Sequence, residues 1–216
     1  MRNKGTGLIF LGLLLIAAAL FLTAYNMYDD QRAGQSVMQA IDQLGDSLLP
    51  ETPKETATEP SGEREAPAIY DQTTLPDYVL CPEMEMPLET INGMDYIRVL
   101  QIPSLELELP IASEWNYPNL KAAPCRYSGS AYLNNMIICA HNYSSHFGKL
   151  KNLSEEDIAT FTDMAGNVFI YKMVERETLL PTSIDAMESG EWDLTLFTCT
   201  VGGQSRVTIR FEREEE

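Results

Sequence analysis

The sequence is poor in the side chains that most often carry chemistry. It holds two histidines, His141 and His146, and four cysteines, Cys81, Cys125, Cys139 and Cys199. The cysteines form no CxxC pair, and the group Cys139, His141, His146 and Cys199 fits no common zinc-ligand spacing, so neither a metal nor any other cofactor is expected. Basic residues are scarce as well: 15 Lys and Arg stand against 32 Asp and Glu, for a net charge of −17. Such a surface repels a polyanion, which excludes DNA and RNA as partners. The acids concentrate in residues 51–65 and in the tail 212–216, both of which read as solvated segments.

Charge is absent altogether from Gly7 to Tyr25, a run of nineteen residues. At about 1.5 Å per residue such a helix nearly spans a bilayer core of about 30 Å. Two basic residues precede the run, and Asp29 and Asp30 follow it. This asymmetry places residues 1–6 in the cytoplasm, a single-pass anchor at 7–26 and the rest of the chain outside the cell. The length of the run, and the lack of a convincing cleavage site beyond the weak "LTAYN", favour an uncleaved anchor over a signal peptide.

Residues 27–68 read as a stalk and acidic linker. Val37, Ile41, Leu44 and Leu48 recur at helical spacing, as in a short amphipathic helix serving as a spacer. Residues 50–68 are rich in Pro, Glu, Thr and Ser and have no apolar period, so they cannot bury a core. Residues 69–93, interrupted by three prolines, are expected to lie against the domain as an extension without regular structure.

From Met94 the texture changes. "DYIRVLQI" and "LELELPI" alternate with period two and are punctuated by Pro103 and Pro110. "MIICAH" (136–141), "NVFIYKMV" (167–174), the weaker "TLLPTSI" (178–184), "WDLTLFTC" (192–199) and "RVTIRF" (206–211) are further strand-like runs. Residues 113–124 and 146–161 break the pattern. In the second, Ser154 precedes three acids and is expected to cap a short helical turn. Seven or eight short strands predict an all-β barrel or sandwich of about 120–125 residues, covering 94–216.

Three residues in this domain suggest a reaction. His141 ends one apolar strand, Cys199 ends another, and Arg206 opens the next after the Gly202-Gly203 turn. Strand ends converging on one rim would assemble a thiol, an imidazole as its proton partner and a donor for an oxyanion. Val207, Ile209 and Phe211 form the apolar face of the last strand, so Arg206, Thr208 and Arg210 point away from the core. His146, in "SSHFG", reads as a solvated loop histidine. Asp157, Asp163, Asp185 and Glu188 read as a solvated acidic face rather than a Ca²⁺ site. "LPTS" at 180–183 reads as a strand-end turn. Cys81 and Cys125 are left as either a disulfide or two separate packed thiols.

"TLFTC" at 195–199, the arginine at 206 and "AHN" at 140–142 together resemble the sortase family of Gram-positive bacteria. Its members end their seventh strand on TLxTC, open the eighth on an arginine and carry a histidine after the fourth. "YIRVLQIPSLELELPI" (96–111) also looks like the family's first two strands. The resemblance runs from about Tyr96 to Phe211, and the N-terminal anchor matches too. It implies a closed β-barrel of seven or eight strands with short helices behind one transmembrane helix. It also implies a cysteine transpeptidase that cleaves an LPxTG-like sorting signal between Thr and Gly, holds a thioacyl enzyme and passes the acyl group to an amine. The partners implied are sorting-signal proteins and an acceptor such as a peptidoglycan precursor or a pilin lysine. Carried over, Cys199 is the nucleophile, His141 the general acid/base, Arg206 the substrate and oxyanion ligand, and Thr198 a residue lining the peptide groove. The stretch 186–192 has no room for the long helix of class B members. No Asp-Pro-aromatic lid is found, since "PDY" at 76–78 has a different order. Two other readings are a cysteine peptidase that releases the acyl group to water and an anchored binding module without catalysis. A papain-like enzyme is disfavoured because there the cysteine precedes the histidine.

Overall fold

The computed structural model describes residues 3–46 and 75–214. Leu48 and the acidic linker expected at 50–68 lie outside the described residues.

Helix α1 runs unbroken from Asn3 to Asp46, 44 residues. The stretch has no proline and is dominated by Leu and Ala, which favour helix. At about 1.5 Å per residue it measures about 66 Å, roughly twice a bilayer core. Its apolar first half touches nothing, with Leu8, Phe10, Leu14 and Phe21 all exposed, and it is long and apolar enough to cross a membrane. The second half behaves differently. Ala33, Val37, Ala40 and Leu44 are buried along one face. Val37 joins the main core, while Ala40 and Leu44 pack with Ile91, Tyr96 and Ala123. The spacing expected of a spacer therefore serves to dock the helix on the folded domain. Burying a Val and a Leu contributes on the order of 1.5–3 kcal/mol each. A chain starting at residue 75 should thus melt at least about 5 °C below one starting at residue 27, as read by circular dichroism. Equal melting temperatures would show that the contact contributes nothing.

The strands are β1 (Glu89–Ile91), β2 (Met94–Ile102), β3 (Leu107–Ala112), β4 (Cys125–Ser128), β5 (Met136–Ala140), β6 (Ile158–Asp163), β7 (Val168–Leu179), β8 (Leu194–Cys199) and β9 (Arg206–Arg213). They pair in the order β1-β2-β3-β4-β5-β8-β9-β7-β6, and β2 also pairs with β6. That last pairing closes an eight-stranded barrel, with β1 as a short edge on β2. β3–β4 and β5–β8 are parallel and all other pairs are antiparallel. Short helices α2 (Asp77–Leu80), α3 (Tyr117–Ala122) and α4 (Ile184–Met187) lie in the connections. Asn116 caps α3 by accepting from the Asn119 N–H at 2.8 Å, with Pro118 in the first turn.

Several expectations need correction. The stretch 146–161 does not break the β pattern to its end: a 3-10 turn spans Leu150–Asn152, and β6 begins at Ile158. Ser154 caps no helix, and it is the Asp157 carboxylate that accepts from the Ser154 N–H at 2.8 Å. "TLLPTSI" is not a separate strand, because β7 continues through Leu179 and the chain then turns at Pro181-Thr182 into α4. The stretch 69–93 is not wholly irregular, since it contains α2 and β1, and Tyr78 stacks on Tyr132 at 4.8 Å between ring centroids. Asp163 belongs to no solvated face. It is fully buried and accepts from Tyr132 Oη at 2.6 Å and from the backbone N–H and side-chain amide of Asn167, both at 2.8 Å.

Candidate active site

Alternation along three adjacent strands sorts their side chains. On β5, Met136, Ile138 and Ala140 join the core, which turns Ile137 and Cys139 to the outer side. On β8, Leu194 and Leu196 are core and Thr195, Phe197 and Cys199 are outer. On β9, Ile209 and Phe211 are core, with Val207 partly buried against them, and Arg206, Thr208 and Arg210 are outer. The register aligns these outer residues in rows. Ile137 faces Thr195, which faces Arg210; Cys139 faces Phe197, which faces Thr208. The next row pairs Cys199 with Arg206, and His141 is the next outer position beyond the end of β5. The three residues singled out in the sequence thus lie at the ends of neighbouring strands on one side of the sheet.

Cys199 is half-buried, whereas Cys125 and Cys139 are buried and Cys81 is exposed; none is paired, so no disulfide joins Cys81 to Cys125. Burial pushes the Cys139 thiol up to about 12, with Cys199 adding to the shift. Cys125, opposite Cys139 in the β4–β5 ladder, is pushed up by burial and by Cys139. Both therefore stay protonated and inert.

His141 is held below its ordinary value by burial and then by Lys121, against the pull of Asp29. Its imidazole is neutral at pH 7 and able to take a proton. The Tyr143 ring lies 4.9 Å from His141 and 5.5 Å from His146. His146 is not solvated as the sequence suggested. It is fully buried, and neither ring nitrogen has a hydrogen-bond partner among the described residues. Burial and then His141 lower it to about 4, although Asp30 and the nearby backbone of Ala122 act in the other direction. Its folded value is below the unfolded one of about 6.5, so the unfolded chain takes the proton first. Stability is therefore full above about pH 6.5, falls as pH drops towards 4 and levels off below, by roughly 3 kcal/mol in all. In urea unfolding at pH 7.5 and 4.5, His146→Leu should lose a large part of this pH dependence. An unchanged difference between the two pH values would remove His146 as its source.

Arg206 does not reach towards Cys199. Its Nη1 donates back to the Gly203 and Ser205 carbonyls, both at 3.2 Å. The hairpin beneath it is fixed by Thr200, whose Oγ1 accepts from the Ser205 N–H at 3.1 Å, and by Gly202 and Gly203 at φ +87° and +71°. Thr198 turns to the interior side with Leu196 and donates from Oγ1 to the Ala140 carbonyl at 2.8 Å, tying β8 to β5.

Two features were not read from the sequence. Arg210 is almost fully buried: it pairs with Glu177 at 2.8 Å and donates to Thr195 Oγ1 at 2.9 Å and to the Ala186 and Met187 carbonyls at 2.6 and 3.1 Å. It pins the α4 connection over the sheet, and a cavity of about 240 Å³ lies there between Ile137, Met187, Trp192 and Arg210. Trp115, Tyr127 and Phe197 form a chain of rings with centroids 6.0 and 5.5 Å apart on the outer side next to Cys199. Arg210 had a signal, a charged residue in a strand whose other face is core, but its partners come from distant segments. Among the described residues no group of three or more His, Cys, Asp or Glu is gathered as a metal site.

Residues 100–214 match the family model described as the sortase domain. Among solved structures, the chain is similar to sortase A from Corynebacterium diphtheriae, with 21% identity, a TM-score of 0.53, and coverage of 57% of this chain and 62% of that one. It is also similar to Clostridium perfringens sortase C, solved with the C-terminal cell wall sorting motif, at 21% identity, TM-score 0.51, 64% of this chain and 82% of that one. A Clostridium perfringens sortase D5 transpeptidase shows 20% identity and a TM-score of 0.51 over 64% of this chain and 88% of its own. The match to the Corynebacterium protein thus spans about three fifths of its length, 62%. A search of the curated proteins finds no match.

Proposed function

The chain belongs to the sortase family, and on that footing we propose that it is a membrane-anchored cysteine transpeptidase acting on an LPxTG-like sorting signal. The observation that carries this reading is the row His141, Cys199, Arg206 at the ends of β5, β8 and β9 on one side of the sheet.

The sorting peptide lies over the outer side of β5 and β8, beside Phe197, with Thr198 bracing the two strands from behind. The Cys199 sulfur attacks the carbonyl carbon of the peptide's threonine, and the thiol proton passes to neutral His141. Negative charge develops on the carbonyl oxygen. Arg206 swings off the Gly203 and Ser205 carbonyls to donate to it. The intermediate collapses, the Thr–Gly C–N bond breaks, and His141 returns its proton to the leaving glycine amine. A thioester on Cys199 remains. An acceptor amine attacks it and gives a proton to His141; the Cys199 sulfur leaves as a thiolate and takes that proton back from His141, restoring the thiol and the neutral imidazole. The acceptor is an amine of a peptidoglycan precursor or a pilin lysine. Residues 7–26 anchor the chain with residues 1–6 in the cytoplasm, and the domain 94–216 works outside, with 69–93 packed on it.

The test is mass spectrometry of the full chain in detergent with LPxTG-like peptides, with and without triglycine or a lysine peptide. Cleavage after threonine with an amine-linked product supports the reading. Release of the free acid alone, unaffected by amine, would make the protein a peptidase.

A further inference from the structure

We propose that the docked half of α1 is a working part of the active site, and that Asp30 is a positioning residue that holds the His141–His146 loop in its catalytic shape. The inference rests on the assignment of His141 as the proton-transfer group. It concerns a segment that, by sequence, was a stalk.

Asp30 lies one to two turns after the apolar run and is half-buried, unlike the exposed run before it. Its carboxylate accepts from the Ser144 backbone N–H at 2.9 Å with one oxygen and from Ser144 Oγ with the other. Ser145 Oγ adds longer contacts to Asp30 Oδ1 and to its carbonyl, both at 3.4 Å. A carboxylate that takes an N–H and an O–H of the same residue fixes a loop far better than one contact, and charged acceptors make the stronger hydrogen bonds. The helix also approaches closely. A Cβ added to Gly34 would sit 3.3 Å from Ser145 Cβ, so this position requires a small residue for helix and loop to meet.

The loop so held is tightly wound. The His146 and Gly148 N–H groups both donate to the Tyr143 carbonyl, at 3.0 and 2.9 Å, and the Phe147 N–H donates to the His141 carbonyl at 3.2 Å. At Gly148 any Cβ would come within 2.7 Å of the Asn142 and Tyr143 carbonyls, so the coil admits only glycine. Tyr143, next to the pinned Ser144, lies against both histidine rings. Movement of Ser144 thus passes through Tyr143 to His141. Nothing else among the hydrogen bonds of the described residues ties Ser144 or Ser145 to the body of the barrel. Asp29, the neighbour of Asp30, shares a cavity of about 420 Å³ with Lys121 and Tyr143, so this part of α1 lines the ground next to His141.

The experiment uses the full chain in detergent micelles, wild type, Asp30→Ala and Asp30→Asn, labelled with ¹³C-histidine. Only two histidines exist, so each ring gives its own signal. Asparagine keeps an acceptor for the Ser144 N–H and can donate to its hydroxyl, so it preserves the geometry without the charge. Asp30→Ala should shift and broaden the His141 signal and lower kcat for peptide transfer about tenfold with KM little changed, as expected for a misplaced catalytic group. Asp30→Asn should restore both. A His141 signal and kcat within about twofold of wild type in Asp30→Ala would overturn the proposal. So would an asparagine variant as impaired as alanine, which would transfer the role from geometry to charge. If no peptide is turned over even by wild type, the proposed function falls, while a shifted His141 signal in Asp30→Ala alone still supports the clamp. Melting temperatures, recorded alongside, separate loss of fold from loss of position.

Discussion

Cys199→Ala is expected to abolish acyl transfer, lowering turnover by at least about 10⁴-fold, the scale on which a lone nucleophile is lost. The protein has three other thiols, and the structure explains why none replaces it. Cys125 and Cys139 are buried and held protonated, and Cys81 is exposed at the end of α2, away from the row of His141 and Arg206. Cys199 itself is half-buried at a strand end, so removing its sulfur leaves little void and the melting temperature should hardly move. The measurement is transfer of a sorting peptide to triglycine by mass spectrometry, with circular dichroism on the same sample. An alanine variant that keeps more than about 1% of turnover and an intact fold would remove Cys199 as the nucleophile.

The second large effect is expected at Arg206. Arg206→Ala should cost about 10²–10³ in kcat/KM, the scale of losing one oxyanion donor. Arg206→Lys should cost nearly as much. The reason is geometric. Arg206 faces Cys199 across the β8–β9 ladder and lies on the outer side with it, but its guanidinium now rests on the Gly203 and Ser205 carbonyls. A planar fork leaves those acceptors and still presents parallel N–H groups to a carbonyl oxygen and the peptide backbone. Lysine keeps the charge on a flexible stem and lacks the fork. If only the positive charge mattered, by favouring the thiolate, lysine would restore much of the rate. The two roles separate in kcat/KM for one peptide across wild type, lysine and alanine. A lysine variant within about threefold of wild type would sink the fork and leave a simple charge effect.

Much of the site was legible in the chain because it is built from period two. Cys199 and Arg206 are seven residues apart in the sequence, on strands that a Gly-Gly turn must bring together. The core alternation Val207, Ile209, Phe211 then dictates the side on which Arg206 emerges. His141 at the end of "MIICA" follows the same logic. Elsewhere local pattern failed. β4 has only four residues, and β6, "IATFTD", alternates too weakly to be distinguished from the acidic turn before it. Both strands exist because the barrel closes: β6 pairs with β2 along Arg98–Gln101, and β4 bridges β3 to β5. His146, in a polar "SSHFG", has no local reason to be buried.

The sequence by itself determined the order of the strands that carry chemistry, the outward face of Arg206, Thr208 and Arg210 on the last of them, and an apolar helix long enough to cross a membrane. These follow from alternation, turn residues and uninterrupted apolar length, which are properties of neighbours in the chain. Only the tertiary structure decided that α1 continues past the apolar run and docks, that Arg210 is buried under α4, and that Asp30 holds Ser144. The last contact joins residues 114 positions apart. No periodicity links such residues. What brings them together is the burial of Val37, Ala40 and Leu44 against the barrel, a surface that exists only once the strands have closed.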